Sequence, residues 1–501
     1  MVRLSETEVD VGADAALEGS YPVLPSERVW TTWPMFAISV SLAIATWDFL
    51  IGGFVAYYLG ALDGILVMTA GSLVGIFLII LVCLPVATKY GVDSIVSSRP
   101  QLGVRGSSLA MIAQFVSVVG WNCLLLIFLG HAAAEILIAN GIFDESIRSE
   151  LEVIFGLLGV AAVWVLLRGG PQHMRRVGPY VAIAIVALSV LILILLLVNV
   201  GPGKIFDAKP VASSGSRQWD MATGFEILIA VTLAWWPYVG GMMRLAPSSR
   251  SALWPSVTGL ALAVVLVSTI GLWSGLAIPD SGGDPTTYLV ELGGLTTGTI
   301  ALLFIVLANI DTAMVGVYVS AIGLKQLPFV QKRVSWNMTV GLTLAPVAVV
   351  VLFFSGWAFE HIGTFLAFVG LVFAPVIGVQ LVDYYLLRRQ RLNVRALYQT
   401  EAGSPYYYWH GFNAVGIVSI GIGFATYLYL LDPVNFTSRA PYEYISASIP
   451  SGVVAAAAYF LLTKLVVMPM RLGDYESASP ERSPAGAPAT ATTMMKSPEG
   501  G

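Results

Sequence analysis

ISVSLAIATWDFLIGGFVAYYLG (residues 38–60) and FEILIAVTLAWWPYVGGMMRL (225–245) decide how this chain folds. Each is a run of about 20 mostly apolar residues, the length that crosses a bilayer as a helix. Each is also interrupted. The first carries Asp48 near its middle, followed by Gly52 and Gly53; the second carries Pro237, then Gly240 and Gly241. Proline removes a backbone donor and paired glycines loosen the chain, so backbone groups are freed at membrane depth. Such groups are tolerated only where they face protein or a wet cavity. Two readings are open: ordinary kinks, or helices broken around a binding site.

The surroundings of these two segments favour the second reading. Hydrophobic residues make up 57% of the 501 and charged residues only 11%, against about 25% charged in soluble domains. The apolar residues fall into twelve runs: 34–60, 64–88, 108–138, 150–167, 179–200, 222–245, 253–277, 296–324, 335–354, 361–387, 408–430 and 447–469. The runs are continuous rather than alternating, which excludes a β-barrel. The interrupted spans are the first and the sixth. They lie five helices apart and run in opposite directions, the mark of two five-helix inverted repeats with a site at the broken helices. The expected fold is therefore an all-α membrane protein with 12 transmembrane helices. Repeat 1 covers about 34–200 and repeat 2 about 222–387, with accessory helices over about 408–469. The whole membrane domain is placed at 31–470, between disordered cytoplasmic tails at 1–30 and 471–501 that are too polar or too rich in Pro, Ala, Ser and Thr to build a core.

Of the 26 lysines and arginines, 21 fall on the side that holds both termini and 5 on the other. The positive-inside rule then predicts cytoplasmic termini in a multi-pass protein of the cell membrane. The net charge of −4 argues against nucleic-acid binding. Cys83 and Cys123 both lie inside apolar runs, which excludes a disulfide framework. The sequence has no HExxH, GxSxG or phosphate-loop motif, so an enzyme is not expected and ATP does not drive the protein directly.

Counting inward from the span ends places Asp48, Trp121, Asn122, Trp235, Trp236, Asn309 and Asp311 at one depth. Trp121 could be packing and Asn122 interhelical glue. The aspartates are harder to dismiss, since an intramembrane carboxylate costs about 2.5–3.5 kcal/mol. Asp383 and Arg388 sit at a span end and read as solvated anchors. His131 and Glu135, four apart on span 3, read as a structural hydrogen-bonded pair, with Glu226 placed similarly on span 6. His173, His361 and His410 form no metal-ligand pattern.

Several stretches resemble the nucleobase:cation symporter family, which includes purine–cytosine, allantoin and hydantoin permeases. They are KYGVDSIVSSRPQLGVRGSSL (89–109), GWN (120–122), AWWPYVGGMMRLAP (234–247), LVFAPVIGVQLVDYYLLRRQRL (371–392) and YYYWHGFN (406–413). The resemblance implies the five-plus-five, leucine-transporter-like fold and secondary active uptake of a flat heterocycle by alternating access. It also implies that Trp121 stacks on one face of the ring and Trp235 on the other, with Trp236 adjacent and Asn122 and Asn309 reading polar edges. The chain departs from the family pattern at Leu125, Gly241 and Ala313, where polar groups are expected. It departs again at Leu307 and Ala308, where sodium-coupled relatives carry hydroxyls. The coupling ion is thus left as sodium or a proton, carried by Asp48, Asp311 and Thr312. No cofactor is expected; the partners are the heterocycle, the cation and lipid, and the protein is expected as a monomer. Two alternatives remain open: a same-fold symporter for an amino acid or quaternary amine, and a channel or transport-derived sensor.

Overall fold

A computed structural model describes residues 21–168 and 172–475. The longer helices are α1 (Thr32–Ala43), α2 (Trp47–Tyr58), α3 (Ala61–Tyr90), α4 (Ser107–Ala139), α5 (Arg148–Leu167), α6 (Gln172–Leu195) and α7 (Arg217–Leu233). They continue with α8 (Trp236–Met243), α9 (Ser249–Ala277), α10 (Leu289–Lys325), α11 (Trp336–Phe353), α12 (Ile362–Leu381), α13 (Ala414–Leu430) and α14 (Ser448–Leu462). Among the described residues, nine helices are long and apolar enough to cross a membrane, and ten when the bent pair α7 and α8 is taken as one. Helix α13 is apolar but shorter, and the first span is divided between α1 and α2.

The helices sort by their packing. Helix α9 runs along α1, α2 and α3, and α7 along α3 and α2, making one bundle from spans 1, 2, 6 and 7. Helix α4 runs along α10 and α5, and α11 along α5 and α4, making a second group from spans 3, 4, 8 and 9. The accessory helices α13 and α14 pack on each other and on α12. Within the bundle, α2 and α9 touch backbone to backbone. A Cβ on Gly52 would stand 1.9 Å from the Ser268 carbonyl oxygen, and one on Gly271 1.9 Å from that of Phe49. Small residues permit this approach where lipid supplies no hydrophobic driving force between helices.

The basic end is closed by a buried polar knot. Asp383 accepts from Arg388 Nε (2.7 Å) and Gln101 Nε2 (2.7 Å) on one oxygen, and from Tyr475 (2.8 Å) and Tyr459 (3.2 Å) on the other. Arg388 also donates to the Gly473 carbonyl (2.6 Å) and to the Tyr408 hydroxyl (3.2 Å), and Tyr408 donates on to the Pro100 carbonyl. Burial pushes the Tyr475 phenol well up, so its O–H remains a donor to the carboxylate. The pair expected to be solvated at a helix end is thus fully enclosed, with Arg388 1% and Asp383 0% exposed. The reason is the aromatic loop after span 10 and the residues after span 12, which fold over it. Residues 471–475, expected in the tail, include the buried Tyr475. Residues 1–20 and 476–501 lie outside the described residues.

Truncation after Leu472 should lower the thermal unfolding temperature in detergent, because it removes partners of Arg388 and Asp383. A buried group left without a partner costs about 1–3 kcal/mol. Truncation after Tyr475 keeps those partners and should melt higher than truncation after Leu472. Equal melting of both truncated chains would refute the role given to the Gly473–Tyr475 segment.

Candidate functional site

Both breaks lie earlier than the sequence suggests. In span 6, α7 ends at Leu233 and α8 starts at Trp236, with a bend of 44°. Pro237 causes it: its ring would clash with the carbonyl four residues back, on Leu233, and it offers no N–H. In span 1 no proline lies near the break, since Pro34 stands in the first turn of α1. Helix α1 ends at Ala43, Ile44 is extended (φ −89°, ψ 106°), and α2 begins at Trp47. Side chains hold this break open. Asp48 accepts the Ala45 N–H at 3.2 Å, and the Thr46 hydroxyl donates to Asn309 Oδ1 on α10. Gly52 and Gly53 lie inside α2, and Gly240 and Gly241 inside α8. Gly52 and Gly53 seat α2 against α9 and the Gly282 backbone, and Gly240 packs on Ser94.

Trp121, Asn122, Trp235 and Thr312 come together around one small cavity of about 30 Å³, joined by Trp47 and Tyr238. Trp47 was not singled out by the sequence reading. Its ring centroid lies 4.6 Å from that of Trp121 and 6.0 Å from that of Trp235, tilted 47° and 43°. Phe365 of α12 meets Trp121 edge-on at 5.3 Å. Asn122 is the amide of the lining, beside the hydroxyls of Thr312 and Tyr238. It is 1% exposed and donates from Nδ2 to the Val118 carbonyl at 2.8 Å. Its Oδ1 has no partner among the described residues. Gly316 lets Asn122 lie close against α10, since a Cβ there would stand 2.7 Å from Nδ2. A buried acceptor without a donor, beside aromatic faces, can take an N–H from a planar ring.

The remaining expected residues stand apart from this cavity. Trp236 turns the other way, fully buried, and donates to Gln380 Oε1 at 2.7 Å. Its carbonyl accepts from the Ser94 hydroxyl at 2.6 Å, which ties the start of α8 to the segment between spans 2 and 3. Asn309 is committed to Thr46 through Oδ1. Asp48 Oδ1, Asn309 Nδ2 and Asp311 Oδ1 have no hydrogen-bond partner among the described residues. Leu307 and Ala308 carry no side-chain oxygen next to Asn309. No cluster of three or more His, Cys, Asp or Glu suited to a metal ion occurs among the described residues.

Three further polar residues are placed differently from expectation or serve another end. His131 does not pair with Glu135. It faces Asp284 at 3.6 Å and Glu152 at 3.8 Å, while Glu135 takes Arg148 at 2.8 Å. Glu226 accepts the N–H groups of Ala447 (3.0 Å) and Ser448 (2.9 Å) and the Ser448 hydroxyl (2.6 Å), so it caps the start of α14. It also lines a second cavity of about 330 Å³ at the end opposite the basic loops, with Tyr58, His361, Tyr427 and Phe436. Ile227 and Ala230 of α7 face this larger cavity, and Val231 and Ala234 line the smaller one.

Two broken helices meeting at a buried aromatic slot, between two packed helical groups, are the build of a membrane transporter. Residues 22–441 match the profile of the family described as permeases for cytosine/purines, uracil, thiamine and allantoin, and the chain belongs to that family. It is a permease and not an enzyme. It is 25% identical to a putative allantoin permease of Escherichia coli over 89% of this chain and 94% of that one. It is 22% identical to a purine–uracil permease of Arabidopsis thaliana over 80% and 69%. In fold it is similar to the inward-facing conformation of Mhp1, with a TM-score of 0.72, 17% identity, and coverage of 92% and 97%. A closed structure of Mhp1, a nucleobase-cation-symport-1 family transporter with bromovinylhydantoin bound, matches with a TM-score of 0.68 and 19% identity, covering 91% and 99%. The five-plus-five fold expected from the sequence is the fold of this chain.

Trp236→Phe should destabilise the protein by about 1–3 kcal/mol, because Gln380 Oε1 loses its donor inside the core. Trp236→Phe combined with Gln380→Leu should recover most of that loss, since both polar groups are then gone. Thermal unfolding of the two variants reads this directly. A double variant no more stable than the single one would show that the hydrogen bond is not what Trp236 supplies.

Proposed function

We propose that this permease takes up a nucleobase or related small heterocycle, coupled to a cation, by alternating access of the bundle of spans 1, 2, 6 and 7 against the group of spans 3, 4, 8 and 9. The observation that carries the reading is the slot between Trp121 and Trp235, edged by the unpartnered Asn122 Oδ1. Aromatic faces suit any flat ring, and stacking on them is worth about 1–3 kcal/mol per base. A hydrogen-bond acceptor at the edge then selects for ring N–H groups. The substrates for which the relatives are named, purines, uracil and allantoin, fit that chemistry. A quaternary amine fits less well, because Asp48 does not line the slot and an ammonium there would lack its counter-charge.

Coupling is assigned to the break in span 1. Asp48 offers a free carboxylate oxygen beside freed backbone groups, with Thr46 and Asn309 next to it. Asp311 and Thr312, further along α10, complete the set. The ion is sodium or a proton. The protein acts as a monomer in the cell membrane with both termini in the cytoplasm.

The test is binding and uptake with the purified protein. Uracil, hypoxanthine or allantoin should raise its unfolding temperature, since a ligand of the folded state stabilises it by mass action. Trp121→Ala should weaken that binding by about 1–3 kcal/mol, and Trp121→Phe by less. In proteoliposomes, Asp48→Asn should abolish accumulation driven by the coupling gradient. Full binding in Trp121→Ala would remove the slot from the substrate path, and concentrative uptake that persists in both Asp48→Asn and Asp311→Asn would remove the coupling assignment.

Orientation is tested separately. Cys83 and Cys123 are buried, so background labelling is low. A cysteine replacing the exposed Asp280, between spans 7 and 8, should react with an impermeant thiol reagent added outside intact cells; one replacing the exposed Arg391 should not. The opposite pattern would invert the topology.

A further inference from the structure

From the ring geometry we propose that Trp47 is an internal occupant of the substrate slot: its indole holds the place of the planar ring between Trp121 and Trp235 and has to swing away for a heterocycle to enter. This rests on the reading of that slot as the substrate site.

Three observations carry it. First, Trp47 contacts both flanking tryptophans at centroid distances of 4.6 and 6.0 Å, inside the range of about 4.5–7 Å for interacting aromatic rings. Second, what remains beside the three rings is about 30 Å³. One water needs about 10–15 Å³ by this measure, and small-molecule sites begin near about 300 Å³. A heterocycle therefore enters only if a side chain leaves. Third, Trp47 is the one of the three placed to leave by a change in the span-1 break. Trp121 lies in the middle of the continuous helix α4, and Trp235 is packed on Tyr238 at 5.5 Å beside the proline-fixed break. Trp47 is the first residue of α2, directly after the extended Ile44 and the two residues that follow it.

The neighbours of Trp47 give the swing its link to coupling. Thr46, one residue before, is tied to Asn309 on the opposite helical group. Asp48, one residue after, holds the Ala45 N–H. A cation that takes up the free oxygen of Asp48 acts on the same three-residue stretch that aims the indole. Substrate and Trp47 then compete for one stacking position, and the size of residue 47 sets which rings are accepted.

The experiment is isothermal titration of the purified full chain with uracil, hypoxanthine and allantoin, and with a 5-aryl hydantoin as the bulky probe. Trp47→Ala, freed of an internal competitor that makes two aromatic contacts, should bind about tenfold tighter than wild type and should accept the bulky probe. Trp47→Phe, which keeps a ring and guards against a folding failure, should fall between the two. Trp121→Ala should bind more weakly than wild type. If Trp47→Ala and Trp47→Phe bind no better than wild type while Trp121→Ala is weakened, the slot stands but Trp47 is a fixed wall, and the proposal fails alone. If none of the four probes binds wild type or either Trp47 variant, the substrate reading fails and takes this proposal with it.

Discussion

Inside a bilayer a backbone amide or carbonyl without a partner has no water to turn to. Both helix breaks in this permease are shaped by that constraint. At span 1 the carboxylate of Asp48 takes the Ala45 N–H, and Thr46 reaches across to Asn309. At span 6 the carbonyl of Trp236 is taken by Ser94, in the segment between spans 2 and 3. The break in span 1 is thus met by its own Asp48 and tied to span 8 through Thr46, while the start of α8 is tied to the segment between spans 2 and 3. The slot lies where spans 1 and 6 meet spans 3 and 8. It is lined by residues immediately beside the breaks, Trp47 and Trp235, and by their neighbours on α4 and α10.

Adjacent residues in the slot have opposite duties. Trp235 turns its ring to the cavity, while Trp236 turns into the core and is fixed by Gln380. Successive side chains on a helical turn point about 100° apart, and the bend at Pro237 sets Trp235 at the start of α8 where its ring reaches the cavity. Asn122 shows a related economy. One end of its amide satisfies its own helix, and the other is left without a partner.

Hydropathy made the spans legible, and the pairing of Asp48 with Pro237 five helices apart made the inverted repeat legible. The positions of the breaks were not, because glycine and proline announce freedom while the break itself forms where a hydrogen bond or a clash falls. Proline acts four residues upstream, and Asp48 acts three residues upstream through its side chain. Trp47 was missed although it sits at the same depth as Trp121; the argument that singles out a midplane tryptophan applies to it equally. Asp383 and Arg388 read as solvated because a span end is normally wet. Their enclosure depends on Gln101, Tyr459 and Tyr475, which are distant in sequence and carry no local sign of the contact. His131 and Glu135 share a helix face, but each found a closer opposite partner in a neighbouring loop or helix.

Glu226 changes the standing of the last helix. Its carboxylate belongs to α7, inside the ten-helix core, yet every bond recorded above for it goes to the start of α14. Deleting the accessory pair would strip that buried carboxylate of these three donors, and a buried polar group left without partners costs about 1–3 kcal/mol or more. The sixth span and the last helix are thus joined by a buried carboxylate that neither could satisfy alone.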